Sequence, residues 1–271
     1  MRYAIYRCLY GEDFIQESIY SISPYFDKIF VFWDDRPWGD VTGVNYKGEW
    51  IEFPKKFDNI LDKIRKLNNP KIELIHDHQF NNFNQFTHFV NDLILPNYQR
   101  PNTIMFIEVD HVFRKDQIEA SINEFESGQN IYATTRHIEL WRRLNYQIPQ
   151  RGRLATVFWN MDLTDKVPET MRHANIKGHR PILNTFVHNL GFSVSEQTMY
   201  WKHLIALAMA DKIQDGKPSE NWYEEKWLKW DPTTNNKNLG MTIGLESKIS
   251  HAFEYDPNLL PETLRYENFH V

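Results

Sequence analysis

The sequence predicts a single-domain α/β protein built on a Rossmann-type, mostly parallel sheet flanked by helices. Three observations lead there. Short apolar runs alternate with segments of helical period through the first half of the chain. No stretch rich in Pro, Gly or Ser separates the 271 residues into two parts, and aromatic residues are spread from end to end. At 41% hydrophobic, 15% aromatic and 25% charged, the composition is that of a chain with a sizeable core.

Taken in order, Tyr3 to Leu9 reads as an apolar strand closed by a turn at Gly11. Phe14, Ile15, Ser18, Ile19 and Ile22 recur at helical spacing, and Pro24 ends that helix. Lys28 to Trp33 is a second strand, followed by Asp34-Asp35-Arg36-Pro37. Phe57, Ile60, Leu61, Ile64 and Leu67 mark a second helix, and Ile72 to Ile75 a third strand that ends in His76-Asp77-His78. Phe83 to Leu95 reads as helix, with Pro96 and Pro101 bounding the loop after it. Thr103 to Val109 is a fourth strand, and Ile118, Ile122 and Phe125 define the helix beyond it. Strands separated by helices of this length imply right-handed crossovers. After about residue 130 the alternation weakens: Asn130 to Thr135 and Arg153 to Trp159 read as strands, and a long helix runs from Ser195 to about Asp211. The change of pattern divides the chain into residues 1–128 and residues 129–271, the second ending in an irregular C-terminal tail.

In parallel sheets ligands collect beyond the carboxyl ends of the strands. Those ends are Arg7 to Gly11, Asp34-Asp35 and Glu108 to His111, and all three carry polar groups suited to a nucleotide or a metal. A net charge of −5 argues against a general nucleic-acid or anionic-membrane binder. One cysteine, Cys8, excludes an internal disulfide and a cysteine-based zinc site, and fits a reducing compartment. No signal-peptide core or apolar run of membrane-spanning length is present, so the expected location is cytoplasmic, with no integral membrane segment.

The segment Ile104-Met105-Phe106-Ile107-Glu108-Val109-Asp110-His111-Val112-Phe113 carries the most chemistry. Acidic residues two apart also occur at Glu124/Glu126 and Glu254/Asp256, but only Glu108/Asp110 ends a buried-looking strand in a β-α series. On a strand, residues i and i+2 share a face. Two carboxylates there can hold a hard cation together with water and phosphate oxygens. The same pair could instead be solvated acids in a turn, or cap the following helix.

With these features in place, the chain resembles a family 2-type glycosyltransferase. The resemblance runs in order over roughly residues 1–205. It uses the opening strand and helix with Glu12 and Glu17, the strand ending at Asp34, the Asn84-Gln85 region, the Phe106 to Phe113 segment, and Val187-His188-Asn189-Leu190-Gly191-Phe192-Ser193 with Met199 and Lys202 beyond. It implies a GT-A fold, a nucleotide-sugar donor, a carbohydrate or glycoconjugate acceptor, a Mn²⁺ or Mg²⁺ ion, and inversion at the anomeric carbon. Carried over by residue, Asp34 would hold the base or ribose, with Arg7 and Cys8 to Gly11 lining that pocket and Asp35 beside them. Asp110 would bind the metal with Glu108 next to it, His188 would be a further metal or diphosphate ligand, and Lys202 would meet the diphosphate. One departure stands out: the His-Glu pair that supplies the base in many relatives is replaced here by Arg172-His173-Ala174-Asn175.

An inverting transfer needs a base within reach of the acceptor hydroxyl. Glu139, among aromatic and basic residues past a strand, is the first choice, with Asp162 and His173 as alternatives. The arginines at 136, 142, 143, 151 and 153 suit a diphosphate or an acidic acceptor, and equally a solvated loop. Trp141, Trp222, Trp227 and Trp230 could stack on sugar rings or fill the core. A catalytically inactive glycan- or nucleotide-binding protein on the same scaffold is the alternative reading.

Overall fold

The structure, a computed structural model, describes residues 1–8, 13–33, 41–54, 60–75, 87–149, 156–167, 181–209, 218–234, 238–240 and 251–265. Its first half follows the predicted alternation, with one unpredicted hairpin after the second strand. Strand β1 (Arg2–Cys8) leads through α1 (Ile15–Ile22) to β2 (Lys28–Trp33). A hairpin of β3 (Gly43–Tyr46) and β4 (Glu49–Glu52) follows, then α2 (Ile60–Lys66) and β5 (Ile72–Ile75). A π-helical segment, Val90–Ile94, runs into the turn Leu95–Asn97 and on to β6 (Thr103–Glu108), the short β7 (His111–Val112) and α3 (Lys115–Ser127).

The second half contains more strand than the sequence predicts. The strand expected to stop at Thr135 continues as β8 (Tyr132–Trp141), turns at Arg142 in a left-handed conformation (φ 57°), and returns as β9 (Arg143–Ile148). After β10 (Val157–Asn160) comes an unpredicted eleven-residue strand, β11 (Ile182–Phe192). Helix α4 (Glu196–Ala208) starts at Ser195, whose side chain accepts from the Thr198 amide. The described chain closes with the helical segment Tyr223–Leu228, β12 (Phe253–Glu254) and α5 (Glu262–Arg265).

These strands form one ten-stranded sheet in the order β12-β9-β8-β10-β6-β1-β2-β5, with β11 along β8 and β7 beside β11. The nucleus β6-β1-β2-β5 is parallel throughout, and β10 joins it antiparallel to β6. β8 shares its first residues with β10 and its last with β9, while its other edge carries β11 in parallel. The nucleus strands are apolar on both faces because both are covered. Ala4, Tyr6, Cys8, Met105 and Ile107 pack against α1, α2 and α3, while Tyr3, Ile5, Phe30, Phe32 and Phe106 pack against Val90, Ile94 and Trp159. Cys8 is buried in the first layer, as a small apolar residue would be.

A second core explains the tryptophans. Trp141, Trp222, Trp227 and Trp230 are buried together with Leu140, Leu190 and Leu239. Trp222 Nε1 donates to the Leu239 carbonyl at 2.8 Å, and Trp227 Nε1 to that of Phe192 at 2.9 Å. Their ring faces are taken, so they serve as packing and not as sugar platforms. No described helix is long and apolar enough to cross a membrane.

Candidate active site

The carboxyl end of β6 builds the site. Thr103 to Ile107 are buried in the central strand, so Glu108 is the first residue free to emerge, and the turn that follows points Asp110 back toward β11. The Leu190 amide donates to the Asp110 carbonyl at 2.9 Å, fixing this turn against β11. His111 then enters β7, opposite Asn189. One ligand atom from each of Glu108, Asp110 and His111 lies within 4.8 Å of the other two. His111 Nε2 stands 3.7 Å from Glu108 Oε2, and its Nδ1 faces the Thr156 hydroxyl at 3.5 Å.

Charge is balanced tightly here. Asp110 is only 8% exposed, and its Oδ1 is buried with no hydrogen-bond partner among the described residues. Its Oδ2 accepts from Lys202 Nζ of α4 at 2.7 Å. Burial opposes ionisation of Asp110, but the nearby Lys202 ammonium and His111 ring outweigh it, holding the carboxyl below its usual range. Burial pushes His111 down to about 4 against the pull of Asp110, so at neutral pH its ring is uncharged and keeps a lone pair.

Register brings a third strand to the same place. His111 pairs with Asn189 across β7–β11, and Asn189 with Glu139 across β11–β8. His111, Asn189 and Glu139 therefore form one row on one face, the outer two roughly 10 Å apart at two strand spacings. His137 shares that face two residues before Glu139, its Nε2 3.8 Å from Glu139 Oε2, which has no hydrogen-bond partner among the described residues. Gly191 completes the row. A methyl there would lie 3.0 Å from Asp110 Oδ2 and 2.9 Å from Asn189 Oδ1, so glycine leaves room for the carboxylate.

The predicted residues divide clearly. Glu108, Asp110, Lys202 and Glu139 converge, and Arg7 stands beside Glu108 in the β1–β6 register. His188 does not join them. It pairs with Val112 and Ile138, one residue out of phase with Asn189, and so occupies the opposite face of β11. There its Nε2 meets the Tyr255 hydroxyl at 2.7 Å, and burial, with Arg114 adding to it, pushes the ring down to about 4. The imidazole that lies beside the two carboxylates is His111, which follows the acidic pair directly. Asp162 is also elsewhere: it accepts from Asn102 Nδ2 at 3.0 Å, at the amino end of β6. Six residues of extended strand, roughly 20 Å, separate that end from Glu108.

Gly11, Asp34, Asp35 and His173 lie outside the described residues, as do Glu12, Asn84, Gln85, the His76-Asp77-His78 run, Arg151 and Arg153. Of the other arginines, Arg142 is committed to Glu196 at 2.8 Å and to the Trp227 ring, and Arg136 lies over Phe186. His137 and Asn189 also line this face without a role from sequence reasoning, which took His111 only as part of the polar strand end that carries the acidic pair.

No protein-family profile matches the chain, and no curated protein matches it in sequence. Among solved structures, residues 1–349 of S. aureus TarS in complex with UDP match at 12% identity and a TM-score of 0.43, covering 91% of this chain and 77% of that one. A second crystal structure of the same fragment gives 11% identity and a TM-score of 0.42, over 84% of this chain and 70% of the other. A 4-diphosphocytidyl-2C-methyl-D-erythritol synthase reaches a TM-score of 0.45 at 8% identity, over 75% of this chain and 97% of that one. These are distant likenesses of fold, and the functional reading rests on the site.

Proposed function

We propose that the chain is an inverting glycosyltransferase that moves a sugar from a nucleoside-diphosphate sugar to a carbohydrate or glycoconjugate acceptor with a divalent cation. The observation that carries this reading is the meeting of Glu108, Asp110 and His111 with a lysine on one side and a buried glutamate two strand spacings along the same row. Two carboxylates and a neutral imidazole, one carboxylate oxygen lacking a hydrogen-bond partner among the described residues, fit a divalent ion. The nitrogen donor favours Mn²⁺ over Mg²⁺, which prefers an all-oxygen shell. When bound, such an ion would offset the negative charge that develops on the departing diphosphate.

The remaining work falls to the chain. Arg7 and Lys202 present positive charge at the strand ends where the phosphates would lie, and Gly11, Asp34 and Asp35 belong to the donor pocket in this reading. The acceptor hydroxyl oxygen attacks the anomeric carbon opposite the leaving group. The bond from that carbon to the β-phosphate oxygen breaks, and its electron pair leaves with the nucleoside diphosphate. Glu139 takes the hydroxyl proton; its Oε2 has no hydrogen-bond partner among the described residues, and His137 Nε2 stands 3.8 Å from it. Residues 1–128 then serve the donor and 129–271 the acceptor.

The test is a thermal-shift panel of UDP-, GDP- and dTDP-sugars with and without Mn²⁺, followed by assay for released nucleoside diphosphate. At a ligand concentration 100 times Kd the stabilisation is about 2.7 kcal/mol, a shift of several degrees. One donor should give that shift only with Mn²⁺. If none does, and no nucleoside diphosphate is released, the reading fails.

A further inference from the structure

Lys202 poses a problem for any cation at this site. Its ammonium sits 2.7 Å from Asp110 Oδ2, on the carboxylate that is the most buried acid of the cluster. The opposite oxygen of the same carboxylate, Oδ1, is buried and has no hydrogen-bond partner among the described residues. Asp110 therefore already has one positive charge in contact and one lone-pair face left over. A divalent ion held by Glu108, Asp110 and His111 would share this carboxylate with Lys202, and two cations on one buried acid repel.

Resting on the glycosyltransferase reading above, we propose that Lys202 is a built-in competitor for the metal, so that ion and nucleoside diphosphate bind tightly only together. Without nucleotide, the lysine neutralises Asp110 and weakens the ion's hold. An ammonium has three donors and no acceptor, so it leaves a carboxylate readily only for another anion. A diphosphate is such an anion, and the four-carbon stem on α4 gives the ammonium reach to follow it. Once Lys202 turns to the phosphates, Asp110 is released to the ion, and the phosphates add oxygen ligands of their own. Linkage requires the effect to be mutual: whatever factor the nucleotide adds to metal affinity, the metal adds to nucleotide affinity. The lysine thus acts as a positioning residue that keeps the site closed to free cation.

Mn²⁺ binding followed by the electron-paramagnetic-resonance signal of the free ion tests this, with UDP and GDP as nucleotide probes and protein-free controls for ion–nucleotide pairing. In the native chain, one nucleotide should tighten Mn²⁺ at least tenfold, within the usual range of coupling between sites. Lys202→Met, which keeps the stem and removes the charge, should bind Mn²⁺ several-fold tighter than the native chain when no nucleotide is present. Its gain from nucleotide should fall below threefold. Lys202→Arg retains the charge and should bind free Mn²⁺ as weakly as the native chain. If Lys202→Met binds free Mn²⁺ no more tightly than the native chain, the competitor role is wrong even though the site stands. The same holds if the nucleotide's gain survives in that variant. If the native chain and all variants ignore Mn²⁺ with and without nucleotide, both this inference and the proposed function fall. Lys202→Gln provides a second neutral variant should Lys202→Met prove unstable.

Discussion

His111 and His188 show how one position decides a side chain's work. Both rings are buried and both are pushed down to about 4, yet one faces two carboxylates and the other a tyrosine hydroxyl. Strand phase makes the difference, because neighbouring residues point to opposite faces. Replacing His111 by Asn removes a proposed ligand and should weaken Mn²⁺ binding about tenfold or more, comparable to other changes near metal centres. His188→Gln should leave Mn²⁺ affinity unchanged while lowering stability by about 1–3 kcal/mol, the cost of disturbing a buried hydrogen bond. Titration of Mn²⁺ and chemical denaturation of the two variants separate these outcomes. The acidic pair was legible in the sequence because it ends a run of five buried apolar and small residues. The choice between the two histidines was not, since it depends on which face of an unpredicted strand each occupies.

At the scale of elements, the parallel nucleus could be read because covered strands are continuous apolar runs and their helices keep a 3.6-residue period. Lys28–Trp33 and Ile72–Ile75 have the predicted limits. The second part of β8, and β11, were hidden by the polar residues they carry. His137 and Glu139 interrupt the apolar pattern of β8, and Asn184, Thr185, His188 and Asn189 interrupt that of β11. Those of β11 are tolerated because the fold engages them. Thr185 accepts from Ser121 at 2.7 Å, Asn184 is gripped by Glu124, and His188 meets Tyr255. Residues placed for a site thus obscure the strands that place them. In the proposed reaction Glu139, in the row across β7, β11 and β8, takes the proton of the acceptor hydroxyl. Glu139→Gln keeps the shape and removes the proton acceptor, so kcat should fall about 100- to 10,000-fold with little change in KM for the donor. Steady-state kinetics on the donor found by the panel measures this, and an unchanged kcat would remove Glu139 from the role.

The whole molecule joins a parallel half that was legible to a mixed half legible only at α4 and at parts of β8 and β10, and two histidines pushed down by burial lie in the second. Besides His188, His203 in α4 is pushed down by burial, while its Nε2 lies 3.1 Å from the Glu220 carbonyl. A histidine whose folded value lies below its unfolded one binds a proton more readily after unfolding. Its contribution is therefore complete above about pH 6.5 and is lost as pH falls toward 4. For His188 alone the shift corresponds to a loss on the order of 3 kcal/mol. Denaturation midpoints measured in metal-free buffer should fall steeply between pH 6.5 and 4, and His188→Gln should flatten that fall. A flat profile in the native chain would mean the rings are not buried uncharged.

The central claim is that Glu108, Asp110 and His111 hold one ion at the carboxyl end of β6. Crystals grown with Mn²⁺ and a nucleoside diphosphate, measured at the manganese absorption edge, test it most directly. The anomalous map should show a single strong peak bonded to those three side chains and to phosphate oxygens, with Lys202 turned away from Asp110. A peak bonded to other residues, or none beside Asp110 with nucleotide bound, would contradict the account.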